Sequence, residues 1–200
     1  LPVLIDVELG AGRTGVAPEQ AVAFANAVAE LPALRIEGVM AYASHFAYSK
    51  RGEAELREGA AQEGRLAAAV AAELAAAGHQ MRRISGGSTP TAGRYQLGCG
   101  LTEMRAGTYI FNDMNQVHIG ACTLEQVALS VLATVVAHPT PERAIIDAGT
   151  KSLDQQVGQI SPGYGWLRDV PGALVYKIND EHGFVDLREA QPDLRIGEKV

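Results

Sequence analysis

The 200-residue sequence is short of lysine, cysteine and aromatic residues, and it has no long uninterrupted apolar run. Four of its 17 basic residues are lysines, Lys50, Lys151, Lys177 and Lys199, so chemistry that needs an amine must choose among four. Two cysteines, Cys99 and Cys122, are too few for a disulfide framework, which points to a reducing cytoplasm. The longest apolar stretch, Val127 to Ala137, is interrupted by Ser130 and Thr134 and falls short of the roughly 18 to 20 residues of a membrane span. Positive charge is scarce too. A net charge of −6 and a pI near 5.4 leave no basic face to displace counterions from a nucleic acid. What is present is 47% hydrophobic and 20% charged, the balance of a globular chain with a real core rather than a disordered one.

The two ends of the sequence carry their own signal. Leu1-Pro2-Val3-Leu4-Ile5-Asp6-Val7 reads as a buried strand, with no initiator Met and no signal-peptide layout. Gly197-Glu198-Lys199-Val200 stops where another strand would begin. Ordinary termini are polar and frayed, so the sequence reads as a span cut from a longer protein.

Strand and helix signals alternate over the first 110 residues. Val3 to Val7 is a short apolar run closed by Gly10-Ala11-Gly12. Pro18 then opens a helix through Ala21, Val22, Phe24, Ala25, Val28 and Leu31, spaced at i, i+3 and i+4. Ile36 to Tyr42 is a second strand. Glu53 to Ala77 is a long helix rich in Ala, Glu, Arg and Leu, stopped by Gly78. Arg83-Ile84-Ser85 is a third strand, and Met104 to Phe111 contains a fourth. This rhythm means βαβ units and a parallel sheet. Beyond about residue 122 the texture turns all-β. Gln126 to Ala137 reads as one β-branched strand, followed by Arg143 to Ala148, Ala173 to Ile178 and Phe184 to Leu187. The expected architecture is α/β over residues 1–120 and mainly β over 121–200. Four α/β strands are half of what an eight-stranded barrel needs to close.

Three strand ends carry candidate chemistry. Ser85-Gly86-Gly87-Ser88-Thr89-Pro90-Thr91 offers exposed amides and hydroxyls ahead of a short helix-like segment, which suits a phosphate. It matches neither the P-loop nor the GxGxxG pattern, and an ordinary strand-to-helix turn accounts for it equally well. Glu103 and Arg105 alternate with apolar residues on the last α/β strand and point to one side, with Gly107-Thr108 following as a second turn. Tyr42-Ala43-Ser44-His45-Phe46 puts a histidine at the carboxyl end of a parallel strand, where such folds build their sites. A structural histidine remains open there, as it does for His182, and Arg13 in the first Gly-rich loop carries the same ambiguity.

As an ordered set these segments resemble a known family. Asp6-Val7-Glu8 with Gly12-Arg13-Thr14-Gly15, then Gly38-Val39-Met40 with Ser44-His45-Phe46-Ala47, resemble alanine racemase-like barrels. The SGGSTPT stretch follows, then Arg105-Ala106-Gly107-Thr108-Tyr109 with Phe111-Asn112-Asp113. Ile146-Asp147-Ala148-Gly149-Thr150-Lys151-Ser152 and Asp180-Glu181-His182-Gly183 look more specifically like the D-threonine aldolase and D-serine dehydratase family, which belongs to the fold type III pyridoxal-phosphate enzymes. The resemblance implies the later part of an alanine racemase-like (β/α)8 barrel followed by a C-terminal mainly-β domain.

The same resemblance implies roles. Gly87, Ser88 and Thr89, with Gly107 and Thr108, would hold the phosphate of pyridoxal 5'-phosphate, and His45 would lie beside the pyridine ring. Arg105 matches the arginine that faces the pyridine nitrogen in alanine racemases, and Arg13 one near the cofactor's phenolic oxygen. The Schiff-base lysine would lie on a barrel strand upstream of Leu1. Lys151 falls in the β half and reads as an exposed or dimer-facing residue. A divalent metal, Zn or Mn, would be held by a His-x-Cys or His-x-Asp pair after Val200. The implied protein is a homodimeric lyase acting on D-3-hydroxy amino acids, with D-threonine aldolase chemistry favoured over D-serine dehydration. A racemase would need a tyrosine that Ile146 to Thr150 lacks, which leaves Tyr164 in Gly163-Tyr164-Gly165 to approach from elsewhere, and a non-catalytic cofactor-carrying barrel would lack the β half.

Overall fold

The computed structural model describes residues 1–43, 45, 48–49, 51–95, 99–155, 160–190 and 193–200. Ser44, Phe46, Ala47 and Lys50 of the expected motifs lie outside them. The chain divides into two compact units, one of Leu1–Ile110 with Ile119–Thr123, the other of Phe111–His118 with Leu124–Val200.

The first unit is built on a four-stranded parallel sheet in the order β1 (Pro2–Val7), β2 (Arg35–Ala41), β3 (Arg83–Gly86) and β4 (Glu103–Met104). Helices α1 (Ala21–Ala29) and α2 (Gly52–Ala76) connect its strands. β2 is buried along nearly its whole length, as expected of a strand covered on both faces. The β1–β2 pairing skips Glu37, which makes a bulge. Next to the bulge, a Cβ on Gly38 would fall 1.8 Å from the Arg83 carbonyl oxygen, so β2 and β3 can meet there only over a glycine. α2 starts with Glu53 and Glu55 facing its positive end. It stops at Gly78, whose φ is +95°. The Gly78 N–H donates to Ala75 O and the His79 N–H to Leu74 O, each at 3.0 Å, which is the Schellman pattern.

The second unit is a five-stranded antiparallel sheet in the order β5-β6-β9-β8-β7. Its strands are β5 (Val135–Thr140), β6 (Arg143–Ile146), β7 (Gly165–Trp166), β8 (Leu174–Ile178) and β9 (Gly183–Asp186). A short helix, α3 (Met114–His118), belongs to the same unit, with His118 and Trp166 rings 5.0 Å apart. Val135, Ile146, Val175, Val185 and Leu187 form its core.

The structure corrects the expected elements in three places. The Gln126 to Ala137 run is strand only from Val135, and Leu129 and Leu132 stay exposed. β-branched composition does not make a strand without a ladder partner, and β6 pairs only from Val135 onward. The fourth parallel strand is two residues long, starts at Glu103 and gives way to a 3-10 turn at Thr108–Ile110. The segment after Ser88 is not a helix but a tight turn, held by Ala92 N–H to Ser88 O (2.9 Å) and Arg94 N–H to Thr91 O (3.0 Å). β7 is an added strand with no counterpart in the sequence reading.

Candidate functional site

The carboxyl ends of β1 to β4 lie on one edge of the parallel sheet, where such folds build their sites, and the segments after β1 and β2, with Arg105 after β4, line a cleft there. Asp6, Glu8, Arg13, Tyr42 and Arg105 are among its lining residues. Just past β1, the Glu8 carboxylate accepts the backbone N–H groups of Gly10 and, at 3.1 Å, Arg13. The loop's amides, that of Gly12 foremost, hold the Glu8 carboxyl below its ordinary range. Asp6 accepts the Thr14 hydroxyl at 2.8 Å. So fixed, the loop puts the Arg13 guanidinium 4.9 Å from the centre of the Tyr42 ring. His45 packs against the same loop. Gly10 has φ +106°, and a Cβ there would come within 2.8 Å of the imidazole.

Arg105 ties three strands together. Its Nε donates to Ser85 Oγ of β3 at 2.9 Å, its Nη2 to the Ala41 carbonyl of β2, and its backbone N–H to Gly86 O at 2.9 Å. Glu103 remains exposed on β4. The two turns expected to share an anion are adjacent, because Thr89 Oγ1 accepts the Tyr109 N–H at 3.0 Å. That bond uses an oxygen lone pair and leaves the Thr89 hydroxyl proton free to donate. The Gly87 and Ser88 amides, however, are already engaged. Gly87 donates to Glu63 Oε1 and Ser88 to Thr91 Oγ1, each at 3.1 Å. Among the described residues, the amides of Thr89, Gly107 and Thr108 have no protein acceptor. Gly107 faces open space, since a Cβ there would meet nothing within 4 Å.

Glu63, which the sequence reading passed over, is fully buried behind this loop. It accepts Ala43 and Gly87 amides on Oε1, and the Thr91 and Tyr95 hydroxyls face its Oε2. A signal for it was present. Leu56, Ala60, Glu63, Ala67, Val70 and Leu74 recur every three or four residues, so a carboxylate stands in the apolar stripe of α2.

In the second unit the two family-like segments meet. The Thr150 N–H donates to Asn179 O at 2.8 Å, and Lys151 pairs with Glu181. His182 donates its backbone N–H to Asn179 Oδ1 at 2.9 Å, closing the β8–β9 turn. Lys151 is exposed. Among the described residues, no group of three or more His, Cys, Asp or Glu could hold a metal ion.

An α/β sheet with its site at the strand ends, followed by a β unit, defines an alanine racemase-like class. Comparison with known proteins agrees. Residues 1–115 match the model of the alanine racemase N-terminal domain, and residues 128–200 that of a putative serine dehydratase domain. D-threonine aldolase from an Arthrobacter species is 34% identical over 97% of this chain and 51% of its own length. D-threo-3-hydroxyaspartate dehydratase from Delftia sp. HT23 superposes with a TM-score of 0.86 at 30% identity, over 100% of this chain and 57% of its own. D-threonine aldolase from Filomicrobium marinum gives 0.79 at 28%, over 99% and 53%. A variant of a D-threo-3-hydroxyaspartate dehydratase is described as being in a metal-free form. The chain therefore belongs to the alanine racemase N-terminal domain family, in the branch that holds the D-threonine aldolases and D-serine dehydratases. It spans about half the length of the curated relatives it matches.

Proposed function

We propose that the full protein is a pyridoxal-phosphate-dependent lyase of D-3-hydroxy amino acids, cleaving the Cα–Cβ bond of a D-threonine-like substrate to glycine and an aldehyde. Residues 1–120 act as cofactor-binding barrel strands and 121–200 as the β domain. The observation that carries the reading is the pair of adjacent turns at Thr89 and Gly107-Thr108, with open amides and a free hydroxyl proton beside the Arg105 latch. An anion of phosphate size and charge fits that donor set. Bound pyridoxal phosphate would supply the electron sink for the bond broken at Cα.

This chain's own residues hold and orient the cofactor. Thr89, Gly107 and Thr108 would donate to the phosphate directly, while Gly87 and Ser88 shape the loop. His45 would pack against the bound ring. The Arg105 guanidinium would serve the pyridine nitrogen and, as a fixed cation, disfavour its protonation. Arg13, kept in place by the Glu8-bound loop and the Tyr42 face, would serve the phenolic oxygen. The Schiff-base lysine lies outside these 200 residues, and so do the ligands of a divalent metal, Zn or Mn. A homodimer in the cytoplasm is the working state, and a sequence with only two cysteines, Cys99 and Cys122, suits a reducing compartment.

A second reading is D-serine-type dehydration, favoured by a D-threo-3-hydroxyaspartate dehydratase from Delftia that is 37% identical over 76% of this chain. Product analysis separates the two. Full-length protein incubated with D-threonine should release glycine and acetaldehyde in equal amounts. Pyruvate and ammonia from D-serine, without cleavage of D-threonine, would make it a dehydratase. Interconversion of alanine enantiomers alone would make it a racemase. Cofactor binding without turnover would make it a carrier module.

A further inference from the structure

Burying a carboxylate is costly unless its lone pairs are met. Glu63 is fully buried, and among the described residues no ion pair includes it. Its partners are four neutral donors instead. Oε1 accepts the Ala43 amide at 3.2 Å and the Gly87 amide at 3.1 Å, while Oε2 faces the Thr91 hydroxyl at 3.4 Å and the Tyr95 hydroxyl. Three of the four belong to residues 87–95. A core-filling role would need only an apolar side chain at this point of the α2 stripe, where Ala60 and Ala67 sit one turn away on either side.

The connections run in one direction. Glu63 Oε2 at 3.4 Å and the Ser88 carbonyl at 3.2 Å share the hydroxyl proton of Thr91, whose Oγ1 accepts the Ser88 N–H at 3.1 Å and lies 3.1 Å from Ser88 Oγ. Gly87 is turned inward by its bond to Glu63, at a φ of +96° that only glycine adopts readily. With these two points fixed, the next amide along the chain, that of Thr89, is the first in the loop left without a protein acceptor. We propose that Glu63, with Tyr95 as its partner, is a positioning residue for this anion-binding loop, fixing Gly87 and Thr91 so that Thr89 presents its donors to the phosphate. The proposal rests on the cofactor reading above. Burial first, and the Glu63 charge second, raise the Tyr95 hydroxyl well above its ordinary value, so it remains a donor to the carboxylate at any physiological pH.

The test compares two ligands that differ only in the phosphate. Affinities of full-length protein for pyridoxal phosphate and for pyridoxal are measured in the wild type, Glu63→Gln and Tyr95→Phe. Gln keeps one acceptor oxygen but replaces the other with an NH2 group, which only donates, so the two amides and two hydroxyls can no longer all be met. The expected result for Glu63→Gln is a Kd for pyridoxal phosphate raised about tenfold or more, with pyridoxal changed by less than about threefold. Tyr95→Phe should lose in the same direction by less, and it decides the matter if Glu63→Gln does not fold. Equal loss for both ligands, or no loss in a folded variant, overturns the proposal. A wild type that binds pyridoxal phosphate no better than pyridoxal rejects the cofactor reading before any substitution is made.

Discussion

Asp186, at the end of β9, illustrates how a single side chain sets a pH limit. The Arg188 guanidinium foremost, and then its backbone N–H, hold the Asp186 carboxyl at about 2 against an ordinary 3.8. A carboxyl depressed on folding contributes stability that is complete above its unfolded value and lost as pH falls through its folded one. The second unit should therefore lose stability between pH 3.8 and about 2 more steeply in the wild type than in Asp186→Asn. Denaturant melts across that range read the difference, and parallel curves would contradict it. Arg188 is largely solvent-exposed, so added salt should shrink the gap.

Individual site residues differ in how far the sequence exposes them. His45 follows a strand that a hydrophobic run already marks, and Arg105 alternates with apolar residues, which is why both can be singled out without coordinates. Glu63 is legible only through helical phase. In a 25-residue helix with many glutamates, most face water, and the buried one is distinguished by its position among Leu56, Ala60 and Ala67 rather than by its type. The engagement of the Gly87 amide was not legible at all, because it depends on Glu63 arriving from another part of the chain, whereas the Ser88 amide is taken up locally by Thr91, three residues on.

At the scale of elements, the loop after β6 and the β8–β9 turn behave as one packed object. A Cβ on Gly149 would lie 2.2 Å from Asn179 O and 2.6 Å from Asp180 O, both backbone atoms with no side-chain freedom to yield. Gly149→Ala should thus cost more than about 2 kcal/mol of stability, as overpacking against backbone does. Lys151→Ala, which removes an exposed ion pair beside it, should cost less than about 1 kcal/mol. Equal effects in chemical denaturation would mean that the ion pair, not the close packing, joins the two segments.

Elements with a clear period or a stop signal are those the sequence locates well. The long helix is found to within a residue at each end, since Gly78 terminates it by its own conformation. The first three parallel strands fall where the β-branched runs lie. The Gln126 to Ala137 run misleads because strand formation is settled by the partner. Residues before Val135 have no β6 partner, and Leu129, Val131 and Leu132 stay exposed despite high β-propensity. The brevity of β4 has a similar origin, for its ladder with β3 holds only Ser85 with Glu103 and Gly86 with Met104.

At the scale of the whole molecule, the alternation of strand and helix followed by an all-β stretch is enough to read two architectures from composition and period. Chemistry at this scale depends on what the four lysines do. Lys50 lies outside the described residues, and of the other three none lies on the parallel strands that carry the cleft: Lys151 is exposed in its pair with Glu181, Lys177 is on β8, and Lys199 donates to Thr134 Oγ1. The scarcity of lysine noted at the outset thus becomes a sharp expectation about where the cofactor is anchored.

Borohydride reduction of the full-length protein loaded with pyridoxal phosphate, followed by peptide mapping, tests that expectation most directly. The account predicts one pyridoxyl-lysine, on a residue outside these 200, with all peptides from Leu1 to Val200 unlabelled. A stable adduct at Lys50, Lys151, Lys177 or Lys199, or no adduct anywhere, would contradict it.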